Sequence, residues 1–100
     1  MKVTISDDFV VSGDELTLND AEAIKAAGVQ IITAAENAVR VDLNGLERAN
    51  SVTAAVLVAW YRSATLQNKS IVFVNLSQEL RDIIEFSGLS RVLLPPTPGL

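Results

Sequence analysis

Residues 39–60 read VRVDLNGLERANSVTAAVLVAW, and this stretch decides the fold of the chain. Apolar and polar residues alternate over 38–43, which is the two-residue period of a strand with one buried face. A polar loop is expected over 44–49, and the small apolar residues after it predict a helix over about 51–67. The hydroxyl of Ser51 then lies at a helix start, where unsatisfied N–H groups favour an anion, a phosphate or a partner.

The rest of the chain continues this alternation of strands and helices. The other expected elements are strands at 3–5 and 9–11 that form a hairpin, a helix over 18–35, a strand over 71–74, a helix capped by Ser77 and a short element at 92–94. Strands that alternate with helices pair in parallel through right-handed crossovers, and the hairpin adds an antiparallel portion. We therefore predict an α/β fold with a small mixed β-sheet covered by helices. It is expected to form a single domain over 1–94, followed by a proline-containing tail at 95–100.

Local patterns refine the boundaries of these elements. The residues at 13–15 are expected to end the second strand, and Thr17, three residues before Asp20, resembles a helix N-cap. The continuous apolar run at 71–74 is typical of an inner strand that is covered on both faces. Gly88 fits the left-handed position just past the end of a helix.

Composition excludes several classes of function. The chain has no cysteine and no histidine, so it offers no thiolate or imidazole for a metal, and no Ser-His-Asp or Cys-His catalytic group. We predict no catalytic residues, no metal site and no cofactor. The net charge is -4 without a cluster of lysine and arginine, which disfavours nucleic acid and anionic membranes as partners. No apolar run is long enough to insert into a bilayer and no signal peptide is recognisable, so we expect a cytoplasmic location.

Several short motifs, in the right order, resemble those of STAS domains, whose founding members are bacterial anti-sigma factor antagonists. Residues 41–46, VDLNGL, resemble the family's strand and loop, and 50–53, NSVT, stand where the family has an Asp-Ser-Ser-Gly-like helix start. The run at 71–77 resembles the next strand, and 86–89, FSGL, resembles the end of the closing helix. The resemblance covers roughly 3–94 and implies the STAS fold.

Within this family, the chain is most similar to the MlaB type, on the stretches 58–62, 73–77 and 93–95. Those proteins are small, non-catalytic STAS subunits of an ABC transporter that moves phospholipid between the membranes of Gram-negative bacteria. The resemblance implies that this chain binds and supports the ATP-binding subunit of such a transporter, and so serves outer-membrane lipid asymmetry. It would then lie at the periphery of the inner membrane through that partner.

The other branch of the family implies an alternative function. Anti-sigma factor antagonists bind an anti-sigma factor kinase and are switched by phosphorylation of the helix-start serine, which corresponds to Ser51. This chain departs from that pattern, because Asn50 replaces the usual aspartate and Val52-Thr53 replaces a small Ser-Gly step. These departures favour a simpler role for Ser51, as the N-cap of the helix and a contact for the partner.

The predicted helix at 51–67 has apolar residues on two sides. One stripe is expected to face the sheet, and the other is formed by Val52, Val56 and Trp60 at helical spacing. We expect this second stripe to face a partner, with Trp60 as its anchor, because tryptophan is enriched in binding hot spots. The alternative is that Trp60 packs against a neighbouring helix. The predicted partner-binding surface consists of Asn50, Ser51, Val52, Thr53, Val56 and Trp60.

Overall fold

A computed structural model of the protein describes residues 1–94, and the tail expected at 95–100 lies outside the described residues. Its elements in chain order are β1 (Thr4–Ile5), β2 (Val10–Glu15), α1 (Leu18–Ala34), β3 (Ala38–Arg48), α2 (Ser51–Leu66), β4 (Ser70–Val74), α3 (Gln78–Phe86) and α4 (Ser90–Leu93). The hairpin, the long helices and the alternation of strands and helices are confirmed. The two long helices end within one residue of their predicted ends.

The strands form one mixed sheet in the order β1-β2-β3-β4. The first pair is antiparallel and the other two pairs are parallel, which confirms the predicted fold class. β4 lies at the edge of this sheet, so the prediction of an inner strand covered on both faces is wrong. Phe73 is buried on the face that packs against the helices, whereas Val72 is 47% exposed. The chain after α3 forms the short helix α4, so no strand within the described residues pairs with the outer edge of β4.

Both central strands are longer than predicted. β2 continues through Gly13 to Glu15, and β3 continues through the expected loop to Arg48, because each gives the other a parallel partner. The strand does not end at Gly13, which takes a φ of +132°. That conformation lets the backbone of Val3 pass close by: a Cβ at Gly13 would lie 2.6 Å from the Cα of Val3. Only glycine tolerates this geometry.

The ends of the helices follow the predictions in part. The Oγ of Ser77 accepts a hydrogen bond from the N–H of Leu80 at 3.1 Å, which confirms that cap of α3. Gly88 has a φ of +74°, as expected just past a helix end. Thr17 precedes α1 in an extended conformation, but its hydroxyl donates to the Asp20 carboxylate and does not cap a backbone N–H.

The core lies between the sheet and the helices, and Trp60 is at its centre. Its side chain is 1% exposed, and its ring packs edge-to-face on Phe9 with the centroids 5.0 Å apart. The indole Nε1 donates a hydrogen bond of 3.0 Å to the carbonyl of Lys25 in α1. Gly28, one turn further along α1, leaves the space that the indole occupies, since any Cβ there would overlap its Nε1 and Cε2 atoms. The alternative in which Trp60 packs against a neighbouring helix is therefore the correct one.

Candidate interaction site

The residue that caps α2 is Asn50, so the prediction of Ser51 as the cap is wrong. Asn50 has the extended backbone that a cap requires, and its Oδ1 accepts from the N–H of Thr53 at 3.0 Å. The N–H of Asn50 in turn donates to the Oγ1 of Thr53 at 3.3 Å, which completes a reciprocal capping box. Ser51 is the first residue inside the helix, and its exposed hydroxyl makes no hydrogen bond to any described residue.

The amide nitrogen of Asn50 ties the start of α2 to the end of β2. Its Nδ2 donates to the carbonyl of Leu16 at 2.9 Å and to the carboxylate of Glu15 at 2.8 Å. An aspartate at this position would keep the cap but would direct a second oxygen at these two acceptors. Both acceptors need a hydrogen-bond donor, which asparagine supplies and aspartate does not. This accounts for the asparagine where the family pattern has aspartate.

Glu79 at the start of α3 holds the same turn from the other side. Its carboxylate accepts from the N–H of Ala49 at 2.8 Å and pairs with Arg48 at 3.3 Å. The Ala49 N–H, and after it the Arg48 guanidinium, lower the pKa of Glu79 below its usual value. Asn50 and Glu79 together fix the two-residue turn between β3 and α2, and with it the position of Ser51.

We expect Glu79→Gln to reduce the free energy of unfolding at neutral pH, because the variant loses the charge that pairs with Arg48. The pKa of Glu79 is lowered in the folded state, so its contribution is present above the ordinary glutamate pKa of 4.5. That contribution is lost as the pH falls through the lower folded-state pKa. Urea unfolding across this range should therefore show the gap between variant and wild type closing in acid. Glu85→Gln, on the same helix but without an ion pair in residues 1–94, is the control. A gap independent of pH would contradict the prediction.

Ser51 lies on a ridge between two depressions of the surface. One is a groove of about 390 Å³ between α1 and α2, whose lining includes Leu18, Ala21, Ser51, Val52 and Ala55. The other is a shallow hollow of about 540 Å³ towards α3, lined by Ser51, Asp82, Ile83, Phe86 and Ser87. A large apolar side chain is exposed on each side of Ser51: Leu18 is 79% exposed and Phe86 is 96% exposed. We call Leu18, Ser51, Val52, Ile83 and Phe86 the Ser51 face.

The structure divides the predicted partner-binding surface in two. Asn50, Ser51 and Val52 are at least partly exposed, and their role in binding stays a prediction. Thr53, Val56 and Trp60 are buried, so their assignment to a partner-facing surface is wrong. Of the predicted stripe, Val52 is partly exposed, whereas Val56 and Trp60 are buried because α1 packs along this side of α2 and receives the indole.

Two prominent residues of the Ser51 face were missed by the sequence analysis. Phe86 was assigned only to a family motif, and Leu18 only to the start of a helix. A signal for Phe86 was present, since it is an aromatic residue among the polar side chains Glu79, Asp82 and Glu85 of an amphipathic helix. No local pattern distinguishes Leu18, whose exposure depends on how α1 docks on α2.

The acidic side chains of residues 1–94 do not assemble into a group that could hold a metal ion. Asp42 accepts from the N–H of Asn44 at 2.9 Å and from the Nδ2 of Asn75 at 3.1 Å, and both bonds lower its pKa. Asp14 accepts from the amino terminus, which lowers its pKa, and a hydrogen bond to Asp14 raises the pKa of Glu47. In the same part of the chain, no helix combines the length and the apolarity needed to cross a bilayer.

The fold and the site define a class of protein: a two-layer α/β domain with an exposed helix start that is flanked by apolar side chains. Solved structures share this fold. The anti-sigma factor antagonist SpoIIAA in its unphosphorylated form matches with a TM-score of 0.65 and 19% identity, over 97% of this chain and 88% of that one. A putative anti-sigma factor antagonist from Thermotoga maritima matches with a TM-score of 0.69 and 20% identity, over 91% and 80% of the two chains. An anti-sigma factor antagonist from Mycobacterium paratuberculosis matches with a TM-score of 0.66 and 22% identity, over 97% of this chain and 86% of that one. At these identities, the likeness shows the fold alone.

The sequence itself identifies the family. A family model described as "Mlab, STAS domain" matches residues 6–95. The chain therefore belongs to the MlaB-type STAS domain family. Members of the STAS family are in general non-catalytic protein-interaction domains. No curated protein matches this chain significantly.

Proposed function

We propose that this chain is a non-catalytic subunit that binds and supports the ATP-binding subunit of an ABC transporter for phospholipid trafficking and outer-membrane lipid asymmetry. The observation that carries the proposal is the Ser51 face, in which a preorganised helix start stands between the exposed side chains of Leu18 and Phe86. The match to the MlaB-type family model supports the choice of partner.

The Ser51 face has the energetic properties of a docking surface. Burial of a phenylalanine or leucine side chain against a partner contributes about 1.5–3 kcal/mol each. Aromatic residues are enriched in interfaces, where a few side chains supply most of the binding energy. The turn that positions Ser51 is already held by Asn50 and Glu79, so little ordering is required when a partner binds.

Contact alone accounts for the proposed role. The chain contains neither histidine nor cysteine, and no base among the described residues is hydrogen-bonded to the Ser51 hydroxyl. The charged residues that line the groove and the hollow beside Ser51 are Glu22, Lys25 and Asp82. These charges can orient a partner without taking part in chemistry.

The test is binding of Phe86→Ala to the purified ATP-binding subunit of an ABC phospholipid transporter from the same organism. We expect the Kd to rise at least about tenfold, since a tenfold change corresponds to only 1.4 kcal/mol. The thermal midpoint should not change, because Phe86 is 96% exposed.

Leu66→Ala is the matched control for this test. Leu66 is 84% exposed but lies in the last turn of α2, roughly 22 Å along the helix axis from Ser51. It should bind like wild type. If Phe86→Ala bound like wild type, or if Leu66→Ala weakened binding equally, the Ser51 face would not be the binding surface.

The second candidate is an anti-sigma factor antagonist regulated by phosphorylation of Ser51. The observation that favours it is the exposed hydroxyl of Ser51 in the first turn of α2, where the helix dipole stabilises a phosphate. Thr53, by contrast, is buried and is engaged in the capping box. Incubation with an anti-sigma factor kinase and ATP should then add one phosphate, measured by intact mass, and Ser51→Ala should abolish it. An unmodified mass would count against this candidate.

A further inference from the structure

The outer edge of β4 carries backbone groups that have no partner within residues 1–94. The N–H of Ser70 donates to the carbonyl of Asn37 at 2.9 Å, and the register pairs Val72 with Arg40. In a parallel ladder, alternate residues of a strand direct both backbone groups to the same neighbour. Ser70, Val72 and Val74 therefore bond to β3, and Ile71 and Phe73 direct their N–H and carbonyl groups away from it. None of these four groups is bonded to another group within residues 1–94.

The strand itself lacks the features of sequence and geometry that protect an exposed edge. Native edge strands are commonly short, charged, interrupted by proline or distorted by a bulge. β1, at the opposite edge of the sheet, is only two residues long. β4 is five residues long, reads SIVFV, and contains no charge and no proline. Its register with β3 is continuous, without a bulge.

We propose that β4 pairs in antiparallel fashion with β4 of a second copy of this chain, about a two-fold axis through Val72. This arrangement sets Ile71 opposite Phe73 of the second copy, and Phe73 opposite its Ile71. Each is a hydrogen-bonded pair that exchanges two backbone bonds, so four bonds use all four of the unpartnered groups on each copy. The edge is therefore complementary to itself, as an interface between two identical chains requires.

The side chains fit the same arrangement. Val72 meets its counterpart in the non-hydrogen-bonded pair, where side chains approach most closely, and part of its 47% exposed surface becomes covered. Ile71 and Phe73 form a pair of a β-branched and an aromatic residue, a combination that stabilises antiparallel strands. β4 carries no charge, so the paired strands oppose no like charges although the chain has a net charge of -4.

The edge is bordered by α4, which leaves a groove of about 190 Å³ along β4, lined by Ile71, Val72, Phe73, Arg91, Val92, Leu93 and Leu94. The chain's own segment at 95–100 is a poorer occupant than a second β4, because three of its six residues are proline, which supplies no N–H. No residue of β4 lines the groove or the hollow beside Ser51, so this inference does not depend on the proposed function.

The test is the mass of the full chain in solution by sedimentation equilibrium, at concentrations up to about 0.5 mM, within the range of weak affinities. Wild type should approach twice the chain mass as the concentration rises. Val72→Lys should raise the dimer Kd at least about tenfold, because it sets two lysines directly opposite each other. Leu66→Lys introduces the same charge at a more exposed apolar side chain, in α2 and not in β4, and should dimerise like wild type.

Hydrogen exchange supplies a second readout that does not depend on a variant. The amides of Ile71 and Phe73 should become protected as the concentration rises, and those of exposed turns should not. A monomeric mass at every concentration, or a dimer that Val72→Lys leaves intact, would overturn the proposal. Capture of an extended segment of another protein on β4 by a chain that remains monomeric would overturn it as well.

Discussion

Trp60→Ala should lower the free energy of unfolding by about 3–5 kcal/mol, the range for truncating a buried tryptophan. The indole is 1% exposed, packs edge-to-face on Phe9 and donates to the Lys25 carbonyl, so the truncation leaves a cavity and an unpaired buried acceptor. The loss is a large part of the roughly 5–15 kcal/mol that stabilises a typical domain. The sequence by itself predicted Trp60 as the anchor of a partner-facing stripe, and a variant of such a surface residue would stay folded and lose only its partner.

Gly28→Ala probes the same contact from the side of α1. In the wild-type background its methyl group overlaps the indole, and we expect a loss of about 2 kcal/mol from overpacking. In the Trp60→Ala background the overlap is gone, and alanine should instead stabilise the helix interior by about 1 kcal/mol. Urea unfolding of the two single variants and the double variant measures this change of sign. A Trp60→Ala protein as stable as wild type, or equal effects of Gly28→Ala in both backgrounds, would contradict the packing described above.

Asn50→Asp should destabilise the protein by about 2 kcal/mol, although aspartate is as good an N-cap as asparagine. The new charge gains about 0.5 kcal/mol from the helix dipole. Against this gain stand two donated hydrogen bonds, each worth about 1 kcal/mol, and an oxygen directed at the carbonyl of Leu16 and the carboxylate of Glu15. The losses exceed the gain, so restoring the residue of the family pattern should weaken this chain.

A second substitution and a change of pH test whether repulsion from Glu15 causes the loss of stability in Asn50→Asp. Glu15→Gln replaces the opposing carboxylate with an amide, so the pair Asn50→Asp and Glu15→Gln should recover part of the lost stability. Acid should also narrow the loss, because the introduced carboxyl can donate once it is protonated and no longer repels Glu15. Thermal or urea unfolding at neutral and acidic pH measures both effects. A loss that is unchanged by Glu15→Gln and by acid would show that repulsion at the Asn50 site is not its cause.

Most elements of the fold could be predicted because their signals are local. The alternating pattern of Ala38–Leu43, the cap at Ser77 and the left-handed Gly88 each depend on neighbouring residues, and all three are confirmed. The extension of β3 beyond Leu43 was missed because it depends on pairing with β2, which is distant in sequence. The apolar composition of β4 gave the wrong position in the sheet: burial on the helix-facing side accounts for Phe73, whereas Val72 on the other face is apolar although it is 47% exposed.

The sequence predicted where the candidate site lies, but not which residues form it. Sequence directed attention to Asn50 and Ser51, because a polar pair before a helical pattern marks a helix start. It could not tell which of the two residues caps the helix, because that depends on backbone angles and on the reach of Asn50 to Leu16. It missed Phe86, whose place beside Ser51 results from the packing of α3.

The sequence by itself determined the order of strands and helices, the family and the helix start at Ser51, because periodicity, capping and motif order are properties of neighbouring residues. Only the tertiary structure decided which apolar residues of α2 face inward and which strand lies at the edge. Val52 and Trp60 belong to one stripe, yet Val52 borders a surface groove and Trp60 is enclosed by Phe9 and Gly28. Burial is a property of what lies opposite a side chain, and in this chain the residues opposite are distant in sequence.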